Sequence, residues 1–185
     1  MKHRDKHNIL HVLTIYYQLH YFIGDQFTHF KDCGYNEHVI CSADSRLDAY
    51  AQKMGFQYMA TPINRSISIG DDFRAIWQIC RYIRKHNIGI VVGHSPKGGL
   101  LAMIAAWLCR VPLRVYFRHG IVYETAHGLL RQVLINCDRL TSLCANKIVC
   151  VSQSVCERSI ADHLNPKRKQ LTLGAGKCTG IDTGG

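Results

Sequence analysis

The 185-residue chain contains nine cysteines but no Cys-x-x-Cys pair. Its thiols are scattered through apolar segments such as Ile79-Cys80, Leu108-Cys109 and Val149-Cys150. That distribution argues against a disulfide or zinc framework and reads as small buried side chains in a reducing compartment. Eleven histidines are equally dispersed, so no metal is expected. The longest apolar run, residues 100–109, is too short to cross a bilayer, which takes about 20 residues. Lys2, Arg4 and Lys6 precede an apolar stretch, but His11, Gln18 and His20 interrupt it and no small-residue cleavage site follows. The stretch reads as a first core strand rather than a secretory leader. With no linker-like tract and no internal repeat before the last dozen residues, one sizeable core is expected. The missing Gly-x-Gly-x-x-Gly argues against a nicotinamide dehydrogenase.

Acidic residues are also scarce, 13 against 23 Lys and Arg, for a net charge of +10. Such a balance suits nucleic acid, anionic lipid or a phosphorylated substrate. With no aromatic-basic RNA motif and no basic recognition helix, nucleic acid is set aside. A helix over 72–86 is expected to bury Phe73, Ile76, Trp77, Cys80 and Ile83, leaving Arg74, Arg81 and Lys85 outside. That basic face is either ordinary solvated surface or a contact with the anionic inner face of the cytoplasmic membrane. The protein is expected to be soluble and cytoplasmic, with peripheral membrane attachment as the further option.

The most informative stretch is Ile90-Val-Val-Gly-His-Ser-Pro-Lys-Gly-Gly-Leu100 and its continuation to Val115-Tyr-Phe-Arg-His-Gly120. It predicts a buried strand, a helix start and a second strand ending at His119-Gly120. Ser95 is expected to cap the helix, with Pro96 in its first position. Gly98 and Gly99 each cost about 1 kcal/mol relative to alanine inside a helix, so a packed strand or a ligand must approach that backbone. Free N–H groups there, beside Lys97, suit an anion. Strands are predicted at 9–14, 38–41, 57–59, 88–92, 113–117, 148–151 and 170–173, and helices at 22–33, 46–53, 72–86, 97–109, 129–144 and 155–164. Such alternation implies an α/β fold, a Rossmann-like doubly wound parallel sheet with helices on both faces and ligands at the carboxyl ends of the strands.

At this level of detail the chain resembles family 4 glycosyltransferases, particularly those that build bacterial capsule and surface polysaccharides. His94-Ser-Pro-Lys-Gly-Gly-Leu-Leu-Ala-Met-Ile-Ala-Ala106 is similar to the family's His-Thr-Pro-Lys-Ala-Gly-Leu-Leu segment. Gly34-Tyr35 with Val39, Asn64-Arg65 with Ile67-Ser68, Arg118-His119-Gly120 with Tyr123-Glu124-Thr125, and Val151-Ser152 with Ser154 follow in the family's order. Gly180-Ile181-Asp182 resembles the crossover into a second domain. The resemblance implies half of a GT-B enzyme. Residues 1–174 would be the amino-terminal acceptor-binding domain and 175–185 the start of an interdomain linker, with the carboxy-terminal donor domain absent.

The activity implied is retaining transfer of a hexose or N-acetylhexosamine from a nucleotide-sugar to a lipid-linked or growing saccharide. It implies no cofactor and no metal, and residues 1–185 alone are expected to be inactive. His119 takes the sugar-proximal catalytic position, and Tyr16, Gly24, His94, Lys97, Gly98, Arg118, Gly120 and Glu124 are the expected acceptor or ligand contacts. Glu124 serves either acid/base chemistry or a salt bridge to Arg118 or Arg131. Ser152 and Ser154 are best read as a helix cap and its neighbour. The first loop departs from the family, since Ile15 to Gly24 offers only Gly24 where many relatives place a glycine pair. The alternative is a non-catalytic module binding a phosphorylated ligand in the same cleft, because doubly wound sheets host many functions.

Overall fold

The computed structural model describes residues 4–24, 26–64 and 68–172. The readings placed on Arg65, Ile67 and residues 175–185 lie outside the described residues. Seven strands, β1 (Asp5–Val12), β2 (Asn36–Cys41), β3 (Gln57–Ala60), β4 (Ile88–His94), β5 (Leu113–Arg118), β6 (Lys147–Cys150) and β7 (Gln170–Thr172), form one sheet in the order β3-β2-β1-β4-β5-β6-β7. Every neighbouring pair is parallel. The central strands are largely apolar and are buried on both faces, as a sheet covered on two sides requires. The chain reverses direction across the sheet between β1 and β4, which makes their carboxyl ends the topological switch point where such sheets bind ligands.

Helices α1 (Tyr17–Phe22), α2 (Gln26–Asp32) and α3 (Leu47–Met54) cover one face, packing Leu19, Phe27 and Leu47 against Leu13, Val39 and Cys41. The larger core lies on the other face, where α4 (Ile69–Lys85), α5 (Pro96–Leu108) and α6 (Gly128–Cys144) meet Leu10, Val12, Ile88, Val91 and Ile148. α7 (Gln153–Ala161) adds Val155 and Cys156 to it. Part of the basic excess is spent holding these helices down. Arg4 donates to Ile83 O at 3.0 Å and Cys109 O at 2.9 Å, Arg114 to Cys144 O at 2.6 Å, and Lys169 to Ser142 O, Leu143 O and Ala145 O at 2.9–3.1 Å. Cations at helix carboxyl ends satisfy orphan carbonyls and oppose the macrodipole.

Several expectations need correction. β1 begins four residues earlier and ends two earlier than the predicted 9–14, because Asp5 already pairs beside Ile88. The helix predicted over 22–33 begins only at Gln26, and a short helix over Tyr17–Phe22 that was not predicted precedes it, the two separated at Gly24, whose φ of +46° is left-handed. α4 is rotated from its expected orientation: it buries Ala75, Ile79, Cys80, Tyr82 and Ile83, while Phe73 is 70% and Trp77 60% exposed. At 100° per residue, Tyr82 and Ala75 pull the buried arc away from the Phe73–Trp77 line. Ser95 occupies the position before α5 but makes no side-chain cap. Ser152 does cap α7, accepting from Val155 N at 3.3 Å.

Candidate active site

The site lies where β1, β4 and β5 end. Thr14, just past β1, and Ser95, just past β4, join their hydroxyls at 2.7 Å across the switch point. Ser95 holds φ +62° and ψ 159°, a region of about 1–3 kcal/mol cost that a side chain tolerates only when its surroundings impose it. The glycines at the start of α5 let the helix sit on the sheet. A Cβ on Gly99 would lie 2.5 Å from Tyr116 Cε2, and one on Gly98 would lie 3.2 Å from Leu13 Cα. Of the two occupants the sequence allowed for that space, the packed strand is the one present. Lys97 forms a 2.5 Å ion pair with Asp72 on α4, so much of its charge is compensated before any anion arrives.

Three imidazoles stack towards the carboxyl edge. His11 Nδ1 lies 3.1 Å from His94 Nε2, and His94 Nδ1 lies 3.3 Å from His119 Nε2. Phe22 of α1 lies flat on His119, with ring centroids 3.5 Å apart, and Phe117 flanks His94 at 5.1 Å. His94 is buried and His119 half-buried. Burial, then the facing His11 and His119 rings, hold His94 well below the usual imidazole range. Burial alone pushes His119 down to about 4. Both rings are therefore neutral at neutral pH. Gly120 follows His119, and nothing outside its chain neighbours lies within 4 Å of where its Cβ would stand, so the backbone just past His119 borders open space.

The remaining expected contacts divide. Tyr16 lies in the loop after β1, under the Arg46 guanidinium at 4.8 Å and edge-on to Tyr50. Glu124 is exposed in a 3-10 turn (Val122–Glu124), and among the described residues it pairs with neither Arg118 nor Arg131. Gly24 serves the break between α1 and α2. Arg118 is corrected from a ligand contact to an interior group. It is fully buried and donates to Asp138 at 2.6 Å, Ser142 at 2.9 Å and Asn165 at 3.0 Å. Strand alternation explains this, because Tyr116 and Arg118 point to the α5–α6 side while Phe117 points to the histidines.

Two residues of the cluster, His11 and Glu37, were not among the expected ones. Their signal was a polar residue at a buried period-two position, since Glu37 shares a strand face with Val39 and Cys41. Among the described residues no group of three or more His, Cys, Asp or Glu could hold a metal ion. None of the described helices is long and apolar enough to cross a membrane.

A parallel Rossmann-like sheet with its polar residues gathered at the carboxyl edge is the architecture of either half of a GT-B enzyme, though other doubly wound proteins share it. Residues 23–171 match the model of Glycosyltransferase Family 4, and the chain belongs to that family. It is 26% identical over 173 residues to the capsular polysaccharide biosynthesis glycosyltransferase CapM of Staphylococcus aureus, covering 94% of this chain and 44% of CapM. It is 26% identical over 114 residues to the Escherichia coli UDP-Gal:alpha-D-GlcNAc-diphosphoundecaprenol alpha-1,3-galactosyltransferase, covering 61% of this chain and 30% of that enzyme. The chain thus spans less than half the length of these relatives. Anabaena HepE, solved with UDP and glucose, shares the fold at a TM-score of 0.66 and 16% identity, covering 92% of this chain and 44% of HepE.

Proposed function

We propose that this domain is the acceptor-binding half of a retaining transferase that moves a hexose or N-acetylhexosamine from a nucleotide-sugar to a lipid-linked or growing saccharide. The observation that carries this is the half-buried, neutral His119 beside the open space at Gly120, on the switch-point edge of a family 4 domain. The E. coli relative is named for a diphosphoundecaprenol-linked acceptor, which supports the lipid-linked reading. The nucleotide-sugar is held mainly by a second domain facing this edge, and neither domain alone transfers sugar, because one wall of a cleft cannot orient two substrates. His119 contacts the reacting sugar, His94 supports it from below, and Tyr16, Gly120 and Glu124 line the acceptor side. Lys97, paired with Asp72, stands at the start of α5 as a further ligand contact.

The exposed face of α4 turns this domain to an anionic membrane. Ile69, Phe73 and Trp77 run along it at four-residue steps, among Arg74, Arg81, Arg84 and Lys85. Arg81 lies over the Trp77 ring at 5.7 Å. Aromatic and basic side chains together suit the interface between headgroups and acyl chains. The catalytic reading is tested by His119→Ala in a transferase containing this domain, supplied with UDP-sugars and a diphosphoprenyl-linked N-acetylhexosamine. Loss of one preorganised donor costs about 3 kcal/mol, so turnover should fall roughly a hundredfold with the fold retained. Near-normal turnover removes His119 from the mechanism.

A further inference from the structure

The edge of the sheet away from the candidate site carries a hollow of its own. β3 is an outermost strand, and between it and the carboxyl-terminal half of α4 lies a cavity of about 550 Å³, within the range of roughly 300–1,000 Å³ that small ligands fill. Trp77, Arg81 and Lys85 follow one another at four-residue steps and line it from α4, with Gln78 beside them. His86, just past α4, and Gln57 of β3 also line it. α4 returns the chain between two parallel strands, so this half of it lies towards the amino edge of the sheet, opposite the edge that holds His119. The hollow and the candidate active site are separate.

The chemistry of its walls is one-sided. No carboxylate is among the described residues that line it, and neither Arg81 nor Lys85 has an ion-pair partner among the described residues. Arg81 rests over the Trp77 ring at 5.7 Å, which helps to order the guanidinium. Burial, then the Lys85 charge, hold His86 below the usual imidazole range, so the positive charge here comes from Arg81 and Lys85. An ordered guanidinium with an ammonium one turn away suits a phosphate, whose oxygens take several donors at once. Gln78 adds a different demand. Its Oε1 is buried and accepts from no donor among the described residues, an omission that folded proteins rarely leave. An anion cannot meet that need and an ammonium is repelled by the two cations, which leaves a hydroxyl.

We infer that the hollow between β3 and α4 binds a phosphodiester of a polyol, with the phosphate on Arg81 and Lys85, a free hydroxyl donating to Gln78 Oε1, and the carbon chain against Trp77. The oxygen comes within reach of that hydroxyl as the Gln78 amide turns about its last torsion, which is a broad one. Two sources share this chemistry. One is the headgroup of a lipid such as phosphatidylglycerol, met at the membrane that the exposed face of α4 addresses, and the other is a soluble polyol phosphate. The site depends on neither the transferase reading nor the role of His119.

The test follows the His86 ring and the Gln78 side-chain amide of this chain by NMR while glycerophosphoglycerol or dimethyl phosphate is added. The two carry the same charge, and only the first has hydroxyls. Glycerophosphoglycerol should shift both signals and bind about fivefold more tightly than dimethyl phosphate, the gain from one hydrogen bond to a buried acceptor. Gln78→Leu should remove that difference and keep the fold, since it deletes an acceptor that has no partner. Arg81→Gln with Lys85→Gln should abolish binding of both. Equal binding of the two by the wild type overturns the inference, as does glycerophosphoglycerol that fails to bind or leaves His86 and Gln78 unmoved. Vesicles of phosphatidylglycerol and of phosphatidylmethanol, again equal in charge, then separate the sources. A preference for phosphatidylglycerol that Gln78→Leu removes makes the lipid headgroup the ligand, and equal partitioning beside a positive titration makes it the soluble phosphate. The membrane reading of α4 is judged apart from this, by phosphatidylglycerol against phosphatidylcholine.

Discussion

Arg118→Met separates a structural role for the residue after Phe117 from a ligand role. The guanidinium has no exposed surface and holds Asp138, Ser142 and Asn165 together at 2.6–3.0 Å. Methionine fills most of the volume, so the cavity is small and the cost is electrostatic. Asp138 is left 13% exposed with its cation gone, and removing one partner of such a pair costs about 3–5 kcal/mol. In a domain of this size each kcal/mol moves the melting point by about 2–4 °C, so the variant should melt roughly 6–20 °C lower. Circular dichroism during thermal and urea unfolding of the chain measures this. Arg118→Met combined with Asp138→Leu should recover most of the loss, because both charges leave together. A single variant within about 1 kcal/mol of wild type would refute the buried-pair reasoning and return Arg118 to the ligand surface.

Gly99→Ala tests why glycine stands at the start of α5. The added Cβ meets Tyr116 Cε2 at 2.5 Å, and overpacking of about 1–3 kcal/mol outweighs the roughly 1 kcal/mol gained in helix propensity. Urea denaturation should show a net loss of up to about 2 kcal/mol, and a stabilised variant contradicts the packing account. For α4, the chain should sediment with phosphatidylglycerol vesicles more than with phosphatidylcholine vesicles and should release at high salt, since surface attraction is screened. Phe73→Ser with Trp77→Ser should weaken that binding, and equal partitioning onto both vesicle types leaves the face as solvated surface.

Much of the fold was legible because it rests on local patterns. Short apolar runs such as Ile88–His94, alternating with helical periodicity, imply a parallel sheet without knowledge of any partner strand. Ser95-Pro96 marks a helix start, and His119-Gly120 follows a strand, so the ligand edge was also readable. α4 was misread because its sequence carries two apolar lines, one through Phe73 and Trp77 and one through Ala75, Ile79 and Tyr82. Periodicity cannot rank two lines of similar strength. The helix Tyr17–Phe22 was missed and the one after it was started too early for a related reason, since the boundary at Gly24 shows only in its left-handed φ.

The sequence by itself determined the element order, the parallel sheet and the edge at which His94, Ser95 and His119 gather, because those follow from spacing along one chain. Only the tertiary structure decided which charges are free. It spends Arg4, Arg114 and Lys169 on helix ends, buries Arg118 against Asp138, and pairs Lys97 with Asp72. It also brings Glu37, His11, His94 and His119, drawn from four separate parts of the chain, to successive distances of 3.0, 3.1 and 3.3 Å. Register between strands sets those distances, and register is fixed by how the sheet packs on both faces rather than by any residue's neighbours in sequence.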